Sequence, residues 1–135
     1  MGASYAVLVA EQLFVSGCEY LLSVTSAGII NQPLMNKRFA LITEAVRDEG
    51  TSYHYLPGET TASLSELLYD KLKEQSADNT SSWFDAKSWT TDAPYRETEA
   101  AILAMKNEDV ICVEMEAAAL YAYAKAKNKK VICFA

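Results

Sequence analysis

Histidine and cysteine are scarce in this chain, and their scarcity closes off several kinds of chemistry. The 135 residues include one histidine, His54, and three cysteines, Cys18, Cys112 and Cys133. No CxxC and no His/Cys cluster occurs, so a structural zinc site is excluded and no metal is expected. The cysteines are odd in number and widely spaced, and each sits in or beside an apolar run. That pattern predicts buried free thiols in a reducing compartment rather than disulfides or a catalytic thiol.

A basic surplus is also missing. Twelve Lys and Arg stand against eighteen Asp and Glu, for a formal net charge of −6 and a pI near 4.8. Proteins that grip a nucleic-acid backbone carry a basic face, so nucleic acid is not an expected partner. A pocket for a small anion remains compatible with this balance, because a local field need not follow the global one. Long apolar runs are absent too. The longest, from Tyr5 to Val15, is interrupted by Glu11 and Gln12 and is too short to cross a bilayer. No basic start or cleavage site of a secretory signal precedes it. Neither a membrane partner nor secretion is expected, and a cytoplasmic location is the default.

Half of the residues are apolar, which places the chain among globular proteins and allows one domain over residues 1–135. Its elements alternate. A helix opens at Ser4 as its cap, runs through Val7, Leu8, Leu13 and Phe14, and ends at Gly17 in a left-handed conformation. A β-leaning run from Tyr20 to Thr25 breaks at Ser26-Ala27-Gly28. Arg38 to Val46 reads as a strand, Arg47 to Ser52 as a polar loop, and Pro57-Gly58 as a further loop. Ser63 with Glu66 forms a candidate capping box for a helix through Leu64, Leu67, Leu68 and Leu72. Ala77 to Ser82 reads as a surface loop. Phe84 to Trp89 is then a strand, Glu97 to Lys106 a helix, Val110 to Val113 a strand, Glu116 to Lys127 a helix and Val131 to Phe134 a strand. This rhythm predicts an α/β fold, a three-layer αβα sandwich around a mixed, largely parallel central sheet. No internal repeat, coiled-coil heptad or low-complexity tract is present. A strand immediately before Ala135 suits a domain that is partial in this sequence.

Two places stand out chemically. An apolar strand running into the small polar turn Ser26-Ala27-Gly28 is one way in which α/β proteins present amides to a ligand, and it is equally an ordinary Ser/Gly turn. Glu114 and Glu116 flank Met115 at a strand-to-helix junction. Ligands gather there in open α/β sheets, and the helix dipole alone also favours Glu at that position.

Taken in order, three segments resemble the nucleoside phosphorylase family of purine-nucleoside and uridine phosphorylases. Ser23-Val24-Thr25-Ser26-Ala27-Gly28 is similar to its strand-then-turn phosphate segment. Arg47-Asp48-Glu49-Gly50-Thr51-Ser52 resembles a run found most clearly on the uridine phosphorylase side. Val113-Glu114-Met115-Glu116-Ala117-Ala118-Ala119-Leu120 is similar to the ribose-binding signature. Thr91-Asp92-Ala93-Pro94-Tyr95 is a weaker match to the segment beside the base pocket.

The resemblance implies a glycosyltransferase of nucleoside salvage that splits a ribonucleoside with inorganic phosphate into free base and ribose 1-phosphate. Phosphate is then a co-substrate, and no organic cofactor is implied. It assigns Thr25, Ser26 and Gly28 to phosphate, Glu116, Met115 and a supporting Glu114 to the ribose, and Asp92, Pro94 and Tyr95 to the base pocket. It designates no catalytic residue here, and it implies a homo-oligomer, a dimer or higher.

Several positions depart from the family pattern. Ser23 stands where an arginine usually binds phosphate, Pro94 where many relatives have an aromatic, and Thr98 and Ala100 where uracil-reading residues fall. The base preference therefore stays open between purine and pyrimidine. The family's first strand, its glycine/arginine phosphate loop and its leaving-group residue fall outside this sequence. A nucleosidase using water, and a non-catalytic fragment that assembles or binds nucleoside weakly, are the alternatives.

Overall fold

In the computed structural model, residues 2–32, 39–76 and 82–135 are described. The expected strand start at Arg38 and residues 77–81 of the expected surface loop lie outside them.

The first helix, α1 (Ala3–Val15), buries Ala3, Ala6, Val7, Ala10 and Phe14, a stripe with the helical three-four spacing. Its C-terminus closes in a Schellman arrangement. The Cys18 N–H donates to Leu13 O at 3.0 Å and the Gly17 N–H to Phe14 O at 3.3 Å, with Gly17 at φ 97°. Its N-terminus differs from the sequence expectation, because Gly2 and not Ser4 occupies the cap position and no side chain caps it. The same terminal turn corrects a second expectation: Cys112 and Cys133 are buried, but Cys18 follows the turn and is exposed.

Among the described residues seven strands form one sheet, in the order β1 (Leu21–Val24), β7 (Val131–Phe134), β3 (Phe39–Asp48), β5 (Trp83–Thr91), β6 (Cys112–Glu114) and β2 (Gly28–Ile29), with β4 (Thr61–Ser63) added to β3. The longest ladders, β3 on β5 and β1 on β7, are parallel, whereas β2 on β6, β4 on β3 and the single β3–β7 pair are antiparallel. The sheet is thus mixed and largely parallel, as expected. Strand β3 is longer than the sequence pattern indicates, since Arg47 and Asp48 continue its pairing with Thr90 and Thr91.

Side-chain alternation along β5 and β6 divides the core into two faces. Ala86 and Cys112 join the large apolar cluster beneath α1, α2 (Glu66–Gln75) and α4 (Ala117–Lys127). Trp89 and Val113 point the other way, into a smaller cluster with Val110 under Ala101, Ile102 and Met105 of α3 (Glu99–Asn107). Helices cover both faces, which makes the three αβα layers. Helix α4 is buried from Ala117 through Ala124, and its alanines let α1 and the sheet approach closely. Tyr121 locks this packing: its phenol donates to Ile42 O, next to a register break in β3, and accepts the Cys133 N–H at 3.0 Å.

The proposed capping box does not form. Ser63 belongs to β4, opposite Glu44, and α2 begins after Ser65 without a side-chain cap. Among the described residues, no helix is long and apolar enough to cross a membrane.

The first and last strands of the main order, β1 and β2, are joined by residues 25–27 alone. Such a link reaches at most roughly 14 Å, so the two ends of the sheet curl toward each other.

Candidate functional site

Curling decides where the sequence candidates fall. Although each runs into one of the two chemically prominent junctions, strands β1 and β6 are not neighbours, because β7, β3 and β5 lie between them. Instead β2, immediately after the Ser26 turn, pairs with β6 in the register Gly28↔Val113 and Ile29↔Cys112. The turn therefore enters the ladder at its Val113 end, where β6 runs on into Glu114. Gly28 makes the approach possible, since a Cβ there would stand 2.9 Å from Val113 Cγ1. Ser26 is exposed and Thr25 half-buried; the Thr25 N–H donates to Phe134 O at 3.0 Å, and its hydroxyl to Ser26 O at 3.3 Å.

Glu114 is buried on the α4 face of the sheet and engaged on both oxygens. Oε1 accepts the Ser88 hydroxyl at 3.0 Å and the Thr90 hydroxyl, and Oε2 accepts the N–H groups of Glu116 and Ala117, each at 2.7 Å. Thr90 Oγ1 in turn accepts the Ala118 N–H at 3.0 Å. A side chain of β6 and one of β5 therefore satisfy three main-chain N–H groups at the start of α4, which otherwise lacks a side-chain cap. Burial raises the Glu114 carboxyl above the usual range, against these hydrogen bonds, which lower it.

The side chain of Glu116, also buried, accepts the Gly2 N–H on Oε1 at 2.7 Å. Burial pushes this carboxyl up, but hydrogen bonds from the Gly2 and Met115 main chain, with other polar interactions, leave it below the ordinary value. Met115 between the two glutamates is half-buried. The junction thus holds one carboxylate occupied in fixing the backbone and a second, charged one at the meeting of the N-termini of α1 and α4.

Elsewhere the candidates are less concentrated. Asp92 follows β5, and its Oδ2 accepts the Gly50 N–H at 3.0 Å, tying it to the 47–52 segment. Pro94 opens a 3-10 turn, Pro94–Arg96, and Tyr95 is fully exposed at 101%, so these two do not form an enclosed base pocket with Asp92. The 47–52 segment is organised by its own charges. Glu49 accepts the Thr51 N–H at 2.7 Å and the Ser52 N–H at 3.0 Å. Arg47 is buried; it donates to Ser52 Oγ at 2.8 Å, Glu59 O at 2.9 Å and Leu56 O, and its guanidinium lies 4.1 Å from the Tyr53 ring centre. A cavity of about 460 Å³ lies apart from Glu114 and Glu116, between β4 and the later turns of α4, with Leu64, Tyr121 and Lys125 in its wall. Among the described residues no group of three or more His, Cys, Asp or Glu is arranged to hold a metal.

Sequence reasoning missed Ser88, Thr90 and Gly2. The first two left a visible signal, hydroxyls at the second and fourth positions after Ala86, on a strand face that is otherwise apolar. Gly2 left none, because its partner is 114 residues away.

Comparison with known proteins places this architecture. The chain superposes on the uridine phosphorylase of Vibrio fischeri ES114 with a TM-score of 0.84 at 20% identity, covering 99% of this chain and 56% of that one. The AMP nucleosidase of Bacteroides thetaiotaomicron VPI-5482 gives a TM-score of 0.82 at 19% identity, with 99% and 56% covered. A Plasmodium knowlesi homologue of the P. falciparum PNP gives 0.77 at 20% identity, with 94% and 54% covered. At these identities the likeness is one of fold, and the chain spans little more than half the length of each relative. No curated protein sequence matches it. The fold is therefore that of the phosphorylases. A family model described as the phosphorylase superfamily matches residues 1–135, and the chain belongs to that superfamily.

Proposed function

We propose that this chain carries the ribose-binding half of a nucleoside-cleaving site, and that the reaction it serves is phosphorolysis of a ribonucleoside. The observation that carries the reading is the buried Glu116, its carboxyl held below the ordinary value, beside Met115 at the β6–α4 junction, with the Ser26 turn leading directly into β2, which pairs with β6. A carboxylate there accepts hydrogen bonds from a pair of ribose hydroxyls, and Met115 offers the sugar a soft wall. Ser26, Thr25 and the amide of Gly28 suit a phosphate oxygen. A phosphate oxygen forms the bond to C1′ as the N-glycosidic bond breaks. The bonding electron pair leaves with the base nitrogen, which takes up a proton, and ribose 1-phosphate remains. Holding the ribose hydroxyls on an anion favours the cation-like sugar of the transition state.

Asp92, two residues after the Thr90 that bonds Glu114, is the base-side candidate nearest to the junction along the chain, with Pro94 and Tyr95 further on. We propose that the site is completed in a homo-oligomer, a dimer or higher, and that the protein works in the cytoplasm with phosphate as co-substrate and no organic cofactor. Sedimentation at high micromolar concentration is expected to give a species larger than a monomer. A monomer would overturn the oligomer.

One feature favours hydrolysis as a second reading. Position 23 is Ser on β1, where an arginine would give phosphate a charge-assisted bidentate partner. The deciding experiment measures base release from purine and pyrimidine ribonucleosides with and without inorganic phosphate. Phosphate-dependent release supports phosphorolysis, equal release in both supports a nucleosidase, and no release with measurable binding leaves a non-catalytic binder.

A further inference from the structure

We infer that the main-chain N–H of Gly2 is a positioning donor that helps to aim the Glu116 carboxylate, and that glycine is required there for this purpose. The inference rests on the ribose reading of Glu116 given above.

Two of the bonds that hold Glu116 come from different parts of the molecule. Its backbone is fixed from the sheet side, where Glu114 Oε2 accepts the Glu116 N–H at 2.7 Å. Its side chain is fixed from the helix side, where Oε1 accepts the Gly2 N–H at 2.7 Å. The second anchor depends on tertiary packing, because α1 and α4 share one buried cluster that includes Ala3, Ala6 and Ala10 of the first helix and Ala117 to Ala119 and Ala122 of the second, with the Phe14 and Tyr123 ring centres 6.0 Å apart between them. It also gives α1 what its own sequence lacks. No side chain caps that helix and no acidic residue lies in its first turn, so the Glu116 charge supplies the anion its N-terminus favours.

The donor is held in a backbone conformation that narrows the choice of residue. Gly2 has φ 89° and ψ 156°, a region open essentially to glycine. Its carbonyl meanwhile accepts the Ala6 N–H at 3.0 Å, which fixes the peptide at the helix entrance. No heavy atom lies within 4 Å of an added Cβ, so the restriction is conformational and not one of space. An L-alanine at this position rotates the N–H away from Oε1 while leaving the buried α1–α4 contacts in place. The carboxylate then keeps its charge and its other interactions but is directed less tightly without this bond, and a ligand must spend binding energy to order it.

The test compares wild type, Gly2→Ala, Glu116→Gln and the double variant, together with a semisynthetic chain carrying D-alanine at position 2, which accepts a positive φ. Two readouts separate positioning from general stability. The first is the Glu116 carboxyl titration followed by 13C NMR, expected to move up in Gly2→Ala because a donor to the ionised form is lost. The second is the dissociation constant of uridine and inosine, each against its 2′-deoxy counterpart. Preference for the ribo form is expected to fall at least about fivefold in Gly2→Ala. D-alanine should restore it, and Gly2→Ala should add nothing further in the Glu116→Gln background. Wild type that prefers the ribo form, with neither the preference nor the titration altered by Gly2→Ala, overturns this inference and leaves the functional reading standing. Wild type that binds neither nucleoside overturns the functional reading and the positioning role with it.

Discussion

Thr90 and Glu114 face each other across the β5–β6 ladder, and the threonine hydroxyl bonds both the Glu114 carboxylate and the first turn of α4. The pair converts a strand end into a helix start. Glu114 acts through backbone geometry, and Glu116, two residues on, presents the carboxylate with which the site is read.

Thr90→Val keeps the shape of the side chain while removing a donor to a buried carboxylate and an acceptor for the Ala118 N–H. A hydrogen bond to a charged group contributes about 1.5–3 kcal/mol, and the stranded amide adds to the loss. Urea unfolding is expected to show destabilisation of at least about 2 kcal/mol, with Ser88→Ala costing less because Thr90 still holds Oε1. If Thr90→Val is neutral, the α4 cap does not depend on this pair.

The thiols provide a second check. Burial, with the nearby Glu114 charge, pushes the Cys112 thiol up to about 12, and burial raises Cys133 further still, whereas Cys18 is exposed. The thiolate is the reactive form. Native protein at pH 8 should therefore show one thiol reacting rapidly with a disulfide reagent and all three reacting in denaturant. Rapid reaction of three in the native state would mean that the sheet beneath α4 opens readily.

What was legible in the sequence followed from local periodicity. The first helix, the strands β5 and β7 and the alanine-rich α4 each declare themselves within a dozen residues, and from them the layered fold follows, although Leu8 and Leu13, expected on the apolar face of α1, are exposed and Ala3, Ala6 and Ala10 are buried with Val7 and Phe14 instead. The Glu114-Met115-Glu116 junction was legible for the same reason. What escaped was set by partners far along the chain. Strand β2 is two residues long and exists because Val113 is opposite it, which also moves the Ser26 turn beside β6 rather than leaving β1 and β6 adjacent. Ser63 looked like a helix cap because Glu66 follows at the right spacing, but pairing with Glu44 takes it into β4. Local capping chemistry lost to a sheet edge that only the tertiary fold supplies.

That close β2–β6 approach yields a third prediction. Gly28→Ala places a Cβ against Val113, a stiff β-branched residue that is itself buried. Overpacking of this kind costs about 1–3 kcal/mol. Val113→Ala opens space and is destabilising alone, so the double variant should be more stable than the two single losses predict. Additive losses in a double-mutant cycle would place the strain elsewhere.

The last prediction concerns the Glu116 charge. Glu116→Gln keeps the shape and the hydrogen-bonding oxygen but removes the charge, weakening two charge-assisted bonds to ribose hydroxyls. Such bonds contribute about 1.5–3 kcal/mol each, so ribonucleoside binding should weaken at least about tenfold. Stability should change less, since a charge at a helix N-terminus contributes about 0.3–1 kcal/mol. The pH profile carries the same information. The folded carboxyl lies below its ordinary value, so the stabilisation from its ionised form is complete above the unfolded range near about pH 4.3 and is lost only as pH falls through the lower folded value. Wild-type binding should accordingly stay level from neutral pH down to about 5 and decline only in stronger acid, within the range where the protein remains folded. In Glu116→Gln that acid limb should flatten. Unchanged affinity combined with a large fall in melting temperature would show that Glu116 works only as the cap between α1 and α4, and the ribose site would have to be sought elsewhere on the sheet.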